Sequence, residues 1–192
     1  LPSKTTPPAE PHEEWILRED QLECLISATR TDIVDHLAAH GPLSVRELAK
    51  AIGMQPSALY HHLELLVAVD LVREEGSRSS NGKAEALYAT PSRRMRLRRA
   101  LEHPHHAPTM RKIVATLGRR AERDFARGIE AECARAGSQD RNLGFFRLVN
   151  RMDRQRLGRL NALLDEVAEL MWEEPQEDGE LVTLTWVMAP LE

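Results

Sequence analysis

Tyr60, His61 and His62 stand side by side in "QPSALYHHLELL", residues 55–66, with Ser57 just ahead of them. Such side chains could ligate a metal, relay protons or meet the surface of a partner. Two adjacent histidines do not easily share one metal ion, because ligand pairs on a helix favour i, i+4 spacing. Leu59, Leu63 and Leu66 recur at helical spacing. A step of about 100° per residue then sets Ser57 and His61 opposite that stripe, Ala58 and Tyr60 on its flanks and His62 at its edge. Outward-facing hydroxyl, phenol and imidazole groups supply the donor, the acceptor and the flat ring that a nucleic-acid surface can use. Tyr60 could equally pack against a neighbouring hairpin, and His62 takes a mainly structural role.

Other chemistry is thinner. His103, His105 and His106 lie in "EHPHHAPT", where a metal site with Cys133 competes with a solvated, proline-punctuated turn; the turn is preferred, and no metal or cofactor is assigned. Cys24 and Cys133 are too few for a disulfide framework. The chain has no glycine-rich phosphate loop, no H-E-x-x-H, no G-x-S-x-G and no histidine near either cysteine in sequence. Asp165, Glu166 and Glu169 sit among other acids and read as a solvated helix face. These patterns argue against an enzyme.

The elements that must position Ser57 to His62 follow from periodicity and punctuation. Leu22, Leu25, Ile26, Ile33, Val34 and Leu37 predict one or two helices over 21–39, interrupted around Thr29 to Asp32 and stopped by Gly41-Pro42. Ser44 and Glu47 form an S-x-x-E capping box, so a helix begins at Val45 and buries Leu48, Ala49 and Ile52 before Gly53 ends it. Pro56 opens the next helix, where its missing amide is no loss. Leu71–Glu75 and Ala86–Thr90 are short strands around the polar loop 76–83. The arginines of "PSRRMRLRRA", Arg93 to Arg99, read as a solvated or phosphate-flanking helix face.

Beyond residue 100 an amphipathic helix is predicted over 108–136. Its stripe of Met110, Ile113, Val114, Leu117, Ala121, Phe125 and Ile129 is longer than a small domain must cover, which favours dimerisation over monomer packing. A strand over 143–149, a helix capped by Asp153 and running to about Trp172, and a strand over 181–188 complete a small strand-helix-strand lobe. Phe145, Phe146, Trp172 and Trp186 serve first as the core of that lobe; an apolar small-molecule effector is the alternative.

Length and charge bound the reading. At 192 residues the chain exceeds a usual single domain, and residues 1–14 are poor in groups that could bury, so the expected organisation is a disordered tail over 1–14, one domain over 15–100 and a second lobe over 101–192. No apolar run is long enough to span a membrane, and a cytoplasmic protein without membrane contact is expected. The formal net charge of −4 hides an asymmetry: residues 44–101 carry ten Lys/Arg against six Asp/Glu, whereas residues 160–192 carry nine acids and no base. The basic stretch coincides with the helix pair and hairpin. An alternative that uses the acidic end is a winged-helix module that docks on a basic protein without specific DNA binding.

Helix, capped helix, glycine turn, helix and hairpin is the order of a winged helix-turn-helix, which places the second helix of the pair in the DNA major groove. Residues 22–97, especially "SATRTDIVDHLAAHGPLSVRELAKAIGMQPSALYHHLELLVAVDLVREE", resemble the winged-helix domain of ArsR-type bacterial transcription regulators. The resemblance implies a mainly α fold with short β (α+β), a homodimer, double-stranded DNA as partner, and DNA reading by a helix from Pro56 to about Val69. The DNA-contacting set on this mapping is Ser44, Gln55, Ser57, Ala58, Tyr60, His61 and His62, with Arg73, Arg78 and Lys83 on the wing. Gln55 departs from the Ser or Asp commoner before Pro56. The family's metal-sensing arrangements do not carry over: "ELAKAIGM" has no cysteine, and the clustered histidines lie in a linker.

Overall fold

In the computed structural model, residues 13–80, 83–176 and 178–191 are described. The chain divides between Ile113 and Val114 into two units.

In the first unit, β1 (Glu13–Trp15) leads into α1 (Glu19–Cys24) and α2 (Ala28–His40). The interruption expected at Thr29 to Asp32 falls instead at 25–27, where Ser27 caps α2 by accepting from the Arg30 amide. β2 (Leu43–Ser44) precedes α3 (Val45–Ile52), then α4 (Pro56–Ala68), and a hairpin of β3 (Arg73–Ser80) and β4 (Lys83–Ala89) follows. β4 is the middle of an antiparallel sheet in the order β2-β4-β3, with Leu43 opposite Tyr88 and Arg78 opposite Glu85. The hairpin is longer than the sequence suggests, because Gly76 at φ 84° takes up a register shift between Glu74 and Ser77 and both strands continue past it. Of the polar loop expected over 76–83, Asn81 and Gly82 lie outside the described residues.

The core beneath the helix pair is aliphatic. Ile16, Leu22, Ile33, Leu37, Leu48, Leu59, Leu63, Leu66, Leu71 and Val72 are fully buried. β1 pairs in parallel with β5 (Arg94–Arg96). Residues 13 and 14 are therefore strand, not tail; residues 1–12 of the expected tail lie outside the described residues. The same pairing corrects the helical reading of the arginine run, which is a short strand followed by a 3-10 turn at Arg98–Glu102. Trp15 fixes this corner, with the Arg99 guanidinium 4.2 Å and the Arg96 guanidinium 5.7 Å from its ring.

α5 (Ala107–Ile129) crosses the division, and its start belongs to the first unit. Met110 is buried in the helix-pair core and Ile113 packs against it, so these two expected dimerisation residues are intramolecular core. Val114 is exposed, while Leu117, Ala121 and Phe125 are half-buried. α5 ends at Ile129 rather than near 136, and α6 (Arg154–Met171) begins where expected, its cap formed by Asp153 accepting from the Arg156 amide at 2.8 Å. The strands expected over 143–149 and 181–188 are not formed, so the lobe is not strand-helix-strand. A strand needs a hydrogen-bonded neighbour along its length, and among the described residues the only backbone bond from either stretch to another segment is that of the Leu143 amide to the Arg135 carbonyl at 3.2 Å. Polar contacts tie this unit's loops: Arg135 donates to both Glu180 carboxylate oxygens at 2.9 Å and Asn142 Nδ2 donates to the same group at 2.8 Å, which holds the Glu180 pKa down to about 2.

Candidate nucleic-acid interface

α3 and α4 are set by local rules before any packing acts. Ser44 Oγ accepts from the Glu47 amide at 3.4 Å, and Glu47 Oε2 accepts from the Ser44 amide at 2.9 Å, which closes the capping box. Gly53 at φ 70° supplies the left-handed residue that turns α3 into the loop before α4. Pro56 starts α4 without a side-chain cap from Gln55.

Burial along α4 follows the phase that the leucine stripe predicts. Leu59, Leu63 and Leu66 are covered, while Gln55, Ser57, Ala58, Tyr60 and His61 are exposed, Tyr60 by 53%. No hydrogen bond to another described residue ties down the side chains of Ser57, Tyr60 or His61. A convex helix face with a hydroxyl, a phenol and an imidazole therefore stands free. His62 is half-buried, its Nδ1 has no hydrogen-bond partner among the described residues, and burial, with the Arg30 and His61 charges nearby, pushes its pKa below the usual histidine value. It is a neutral edge-of-core residue at pH 7.

Two expected contacts change character. Ser44 is only 2% exposed and its hydroxyl is committed to the cap, so it positions α3 and has no free surface to offer a duplex. The wing arginines are exposed but engaged: Arg73 pairs with Glu75 at 3.2 Å, and Arg78 pairs with Glu47 at 2.6 Å. Lys83 is the first residue of β4, opposite Ser80.

Sequence reasoning missed Arg46, whose guanidinium lies 3.0 Å from Glu85 of β4. Because Arg78 and Glu85 face each other across the hairpin, Arg46 and Glu47 grip the wing through two ion pairs of opposite polarity. Nothing in the spacing of residues 46–47 and 78–85 announces that contact. The backbone carbonyls that accept from Arg93 and Gln21, those of Ala38 and Val69, were equally silent in the pattern.

His103, His105 and His106 cluster with ring centroids 3.9 to 5.8 Å apart at the junction of two 3-10 turns; His103 and His105 are exposed, as expected of a solvated turn, and only His106 of the three is buried. Among the described residues no group of three or more His, Cys, Asp or Glu is placed to hold a metal ion. Cys24 is buried and Cys133 exposed, both as free thiols.

Residues 25–75, which hold α2, α3 and α4, match a family described as a helix-turn-helix domain. Over 85 residues the chain is 36% identical to the HTH-type transcriptional regulator NmtR of Mycobacterium tuberculosis, an alignment that spans 44% of this chain and 68% of that one. The chain belongs to the ArsR-type helix-turn-helix transcription regulators. The regulator is not an enzyme, and DNA binding and transcription regulation are its family's functions. Among solved structures it is similar to RV1404 from Mycobacterium tuberculosis, with 20% identity over 78% of this chain and 80% of that one at a TM-score of 0.33. It is also similar to a variant of Lactococcus lactis ZitR in apo form, with 14% identity over 76% and 83% of the two chains at a TM-score of 0.30. Among the described residues no helix is long and apolar enough to cross a membrane.

Proposed function

We propose that the regulator binds specific double-stranded DNA sites as a homodimer, with α4 in the major groove and the β3–β4 wing against phosphates. The observation that carries this reading is the open face of α4: Ser57, Tyr60 and His61 are exposed and their side chains make no hydrogen bond to another described residue, directly above Leu59, Leu63 and Leu66, which fix the helix to the core. Gln55 and Ala58 flank that face and complete the surface offered to base edges, where an imidazole or hydroxyl can pair and a methyl can rest against thymine. The wing supplies Arg73, Arg78 and Lys83 for the backbone, which positions the protein without reading sequence. A two-fold dimer would present two such helices to half-sites about one helical turn apart.

Fluorescence anisotropy with labelled DNA from upstream of the regulator's own gene tests this directly. A dimer that neutralises six to ten phosphates should lose roughly 10³ to 10⁵ in affinity between about 50 and 200 mM salt. Replacing Ser57 and His61 together by Ala should reduce specific binding while leaving the thermal transition in place, because neither side chain is packed. Binding unchanged by that substitution and by salt would remove the reading.

A further inference from the structure

α4 is held to the core by Leu59, Leu63 and Leu66, and apolar contact has no direction of its own. Such contacts set how deep the helix lies more firmly than they set its roll about its own axis. At the N-terminal end Gln55 makes no side-chain cap. The C-terminal end is different. The last carbonyls of a helix have no partner within it, and here the backbone that follows answers for two of them. The Leu66 carbonyl accepts from the Leu71 amide at 3.0 Å, and the Val67 carbonyl accepts from the Asp70 amide at 3.1 Å.

Side chains of α1 meet the groups around these two. Gln21 is only 6% exposed, and its Nε2 donates to the Val69 carbonyl at 2.9 Å. The buried Cys24 thiol donates weakly to the Leu65 carbonyl at 3.9 Å. Arg18, the N-cap residue of α1, donates to the Asp70 carboxylate at 2.8 Å, and Asp70 turns the chain out of α4 in a left-handed conformation at φ 60°. The last turn of α4 has no basic residue of its own, so Arg18 brings the cation that a helix C-terminus favours. Spaced three apart, Arg18, Gln21 and Cys24 meet Asp70, Val69 and Leu65 in reverse order, as an antiparallel ladder. α1 is itself fixed to α2, since Arg30 Nε donates to the Cys24 carbonyl and Thr31 Oγ1 donates to the Leu25 carbonyl at 3.0 Å. An apolar side chain at position 21 would fill the same space without needing a partner. What the glutamine adds is direction.

We infer that Arg18, Gln21 and Cys24 position α4, fixing its roll and axial placement so that Ser57, Tyr60 and His61 register with base edges. Gln21, buried and with the best-formed bond to the helix end itself, is the principal positioning residue; none of the three meets DNA. This inference rests on the proposed DNA reading and adds to it the residues that set discrimination between sequences. α4 has 13 residues and is about 20 Å long, so a small pivot at Val69 displaces the end that carries Ser57. Hydrogen bonds to base edges weaken steeply as their angles lapse, whereas phosphate contacts carry no sequence information to lose. Loosening the ladder therefore costs specific binding more than non-specific binding.

The test uses the full chain and two DNA probes: a duplex that the wild type enriches from a random-sequence pool, and a scrambled duplex of the same composition. Gln21→Met keeps an unbranched side chain of similar size and removes the donor. It should lower affinity for the enriched duplex by about tenfold, on the order of one lost base contact, and affinity for the scrambled duplex by less than about twofold. Where Gln21→Met does not fold, Arg18→Ala, outside the core, carries the test. It should lower the ratio of the two affinities by about two- to threefold with the thermal transition within a few degrees of the wild type, as suits an exposed pair, and Arg18→Lys should restore the ratio. Equal losses on both duplexes, or an unchanged ratio, would reduce α1 to a packing element and overturn this inference while the DNA reading stands. A wild type that enriches no duplex would overturn the DNA reading and this inference with it.

Discussion

The Arg78 guanidinium donates to Glu47 Oε1 across 2.6 Å, so the side chain that closes the cap of α3 also holds the wing. Glu47 thereby competes with any phosphate for Arg78. The hydrogen bonds from Ser44 and Arg78 keep the Glu47 carboxyl below its usual pKa, so this competition persists throughout the neutral range. Glu47→Gln retains the capping geometry, since Gln can reach back to the Ser44 amide, but removes the charge. An exposed ion pair is worth about 0–1 kcal/mol, so releasing Arg78 should tighten DNA binding at low salt by roughly two- to fivefold. Arg78→Ala should weaken binding across all sequences and reduce the salt slope by about one. Anisotropy titrations of both variants over a salt series measure the pair; weaker binding by Glu47→Gln would mean that the wing must stay gripped to work.

Ser44→Ala addresses the same corner from the side of stability. The hydroxyl is buried and caps the Glu47 amide, and losing such a cap costs about 1 kcal/mol, within a range of roughly 0.5–2. Thermal unfolding should shift down by a few degrees. Because Ser44 has no free surface, DNA affinity well below the transition should stay unchanged, and a large loss there would return Ser44 to the interface.

His62 makes stability depend on pH in a definite direction. Its folded pKa lies below the unfolded value near 6.5, so its contribution is fully present above 6.5 and is lost as pH falls toward the folded pKa. The unfolded chain binds the extra proton in that window, which is why acid favours unfolding. His62→Asn removes the titration, so the decline in thermal stability between pH 7.5 and 5.5 should be shallower than in the wild type. An unchanged pH slope would show that other histidines set it.

What the sequence revealed and what it concealed divide along one physical line. The cap at Ser44, the turn at Gly53, the start at Pro56 and the phase of Leu59, Leu63 and Leu66 are decided within one or two helical turns, and each appears where the pattern puts it. The exposed face of Ser57, Tyr60 and His61 follows from that phase alone. The Arg78–Glu47 and Arg46–Glu85 pairs join residues far apart in sequence, and only the folded hairpin brings them together. The stretches 143–149 and 181–188 failed as strands for a related reason: composition records that a segment is fit to pair, but not whether its partner lies in the same chain. The start of the α5 stripe shows the same limit, because helical periodicity marks a face for burial without saying what buries it, and Met110 and Ile113 are buried by this chain's own core.

Met110 offers a clean test of that last distinction. It belongs to the same stripe as Val114 and Leu117, yet it is only 7% exposed and sits in the core cluster of the N-terminal unit, with Ile113 packed beside it. Truncating a buried methionine to alanine costs about 2–5 kcal/mol, from lost transfer energy and the cavity left behind. Met110→Ala should therefore lower the urea midpoint of the N-terminal unit substantially while the protein that remains folded keeps its oligomeric state. Were Met110 an interface residue, the same substitution would instead make the sedimentation coefficient fall on dilution with little change in the denaturant midpoint at high concentration. Running urea unfolding and sedimentation on one sample distinguishes the two outcomes, since the first reports the core that α5 completes and the second the contacts between copies.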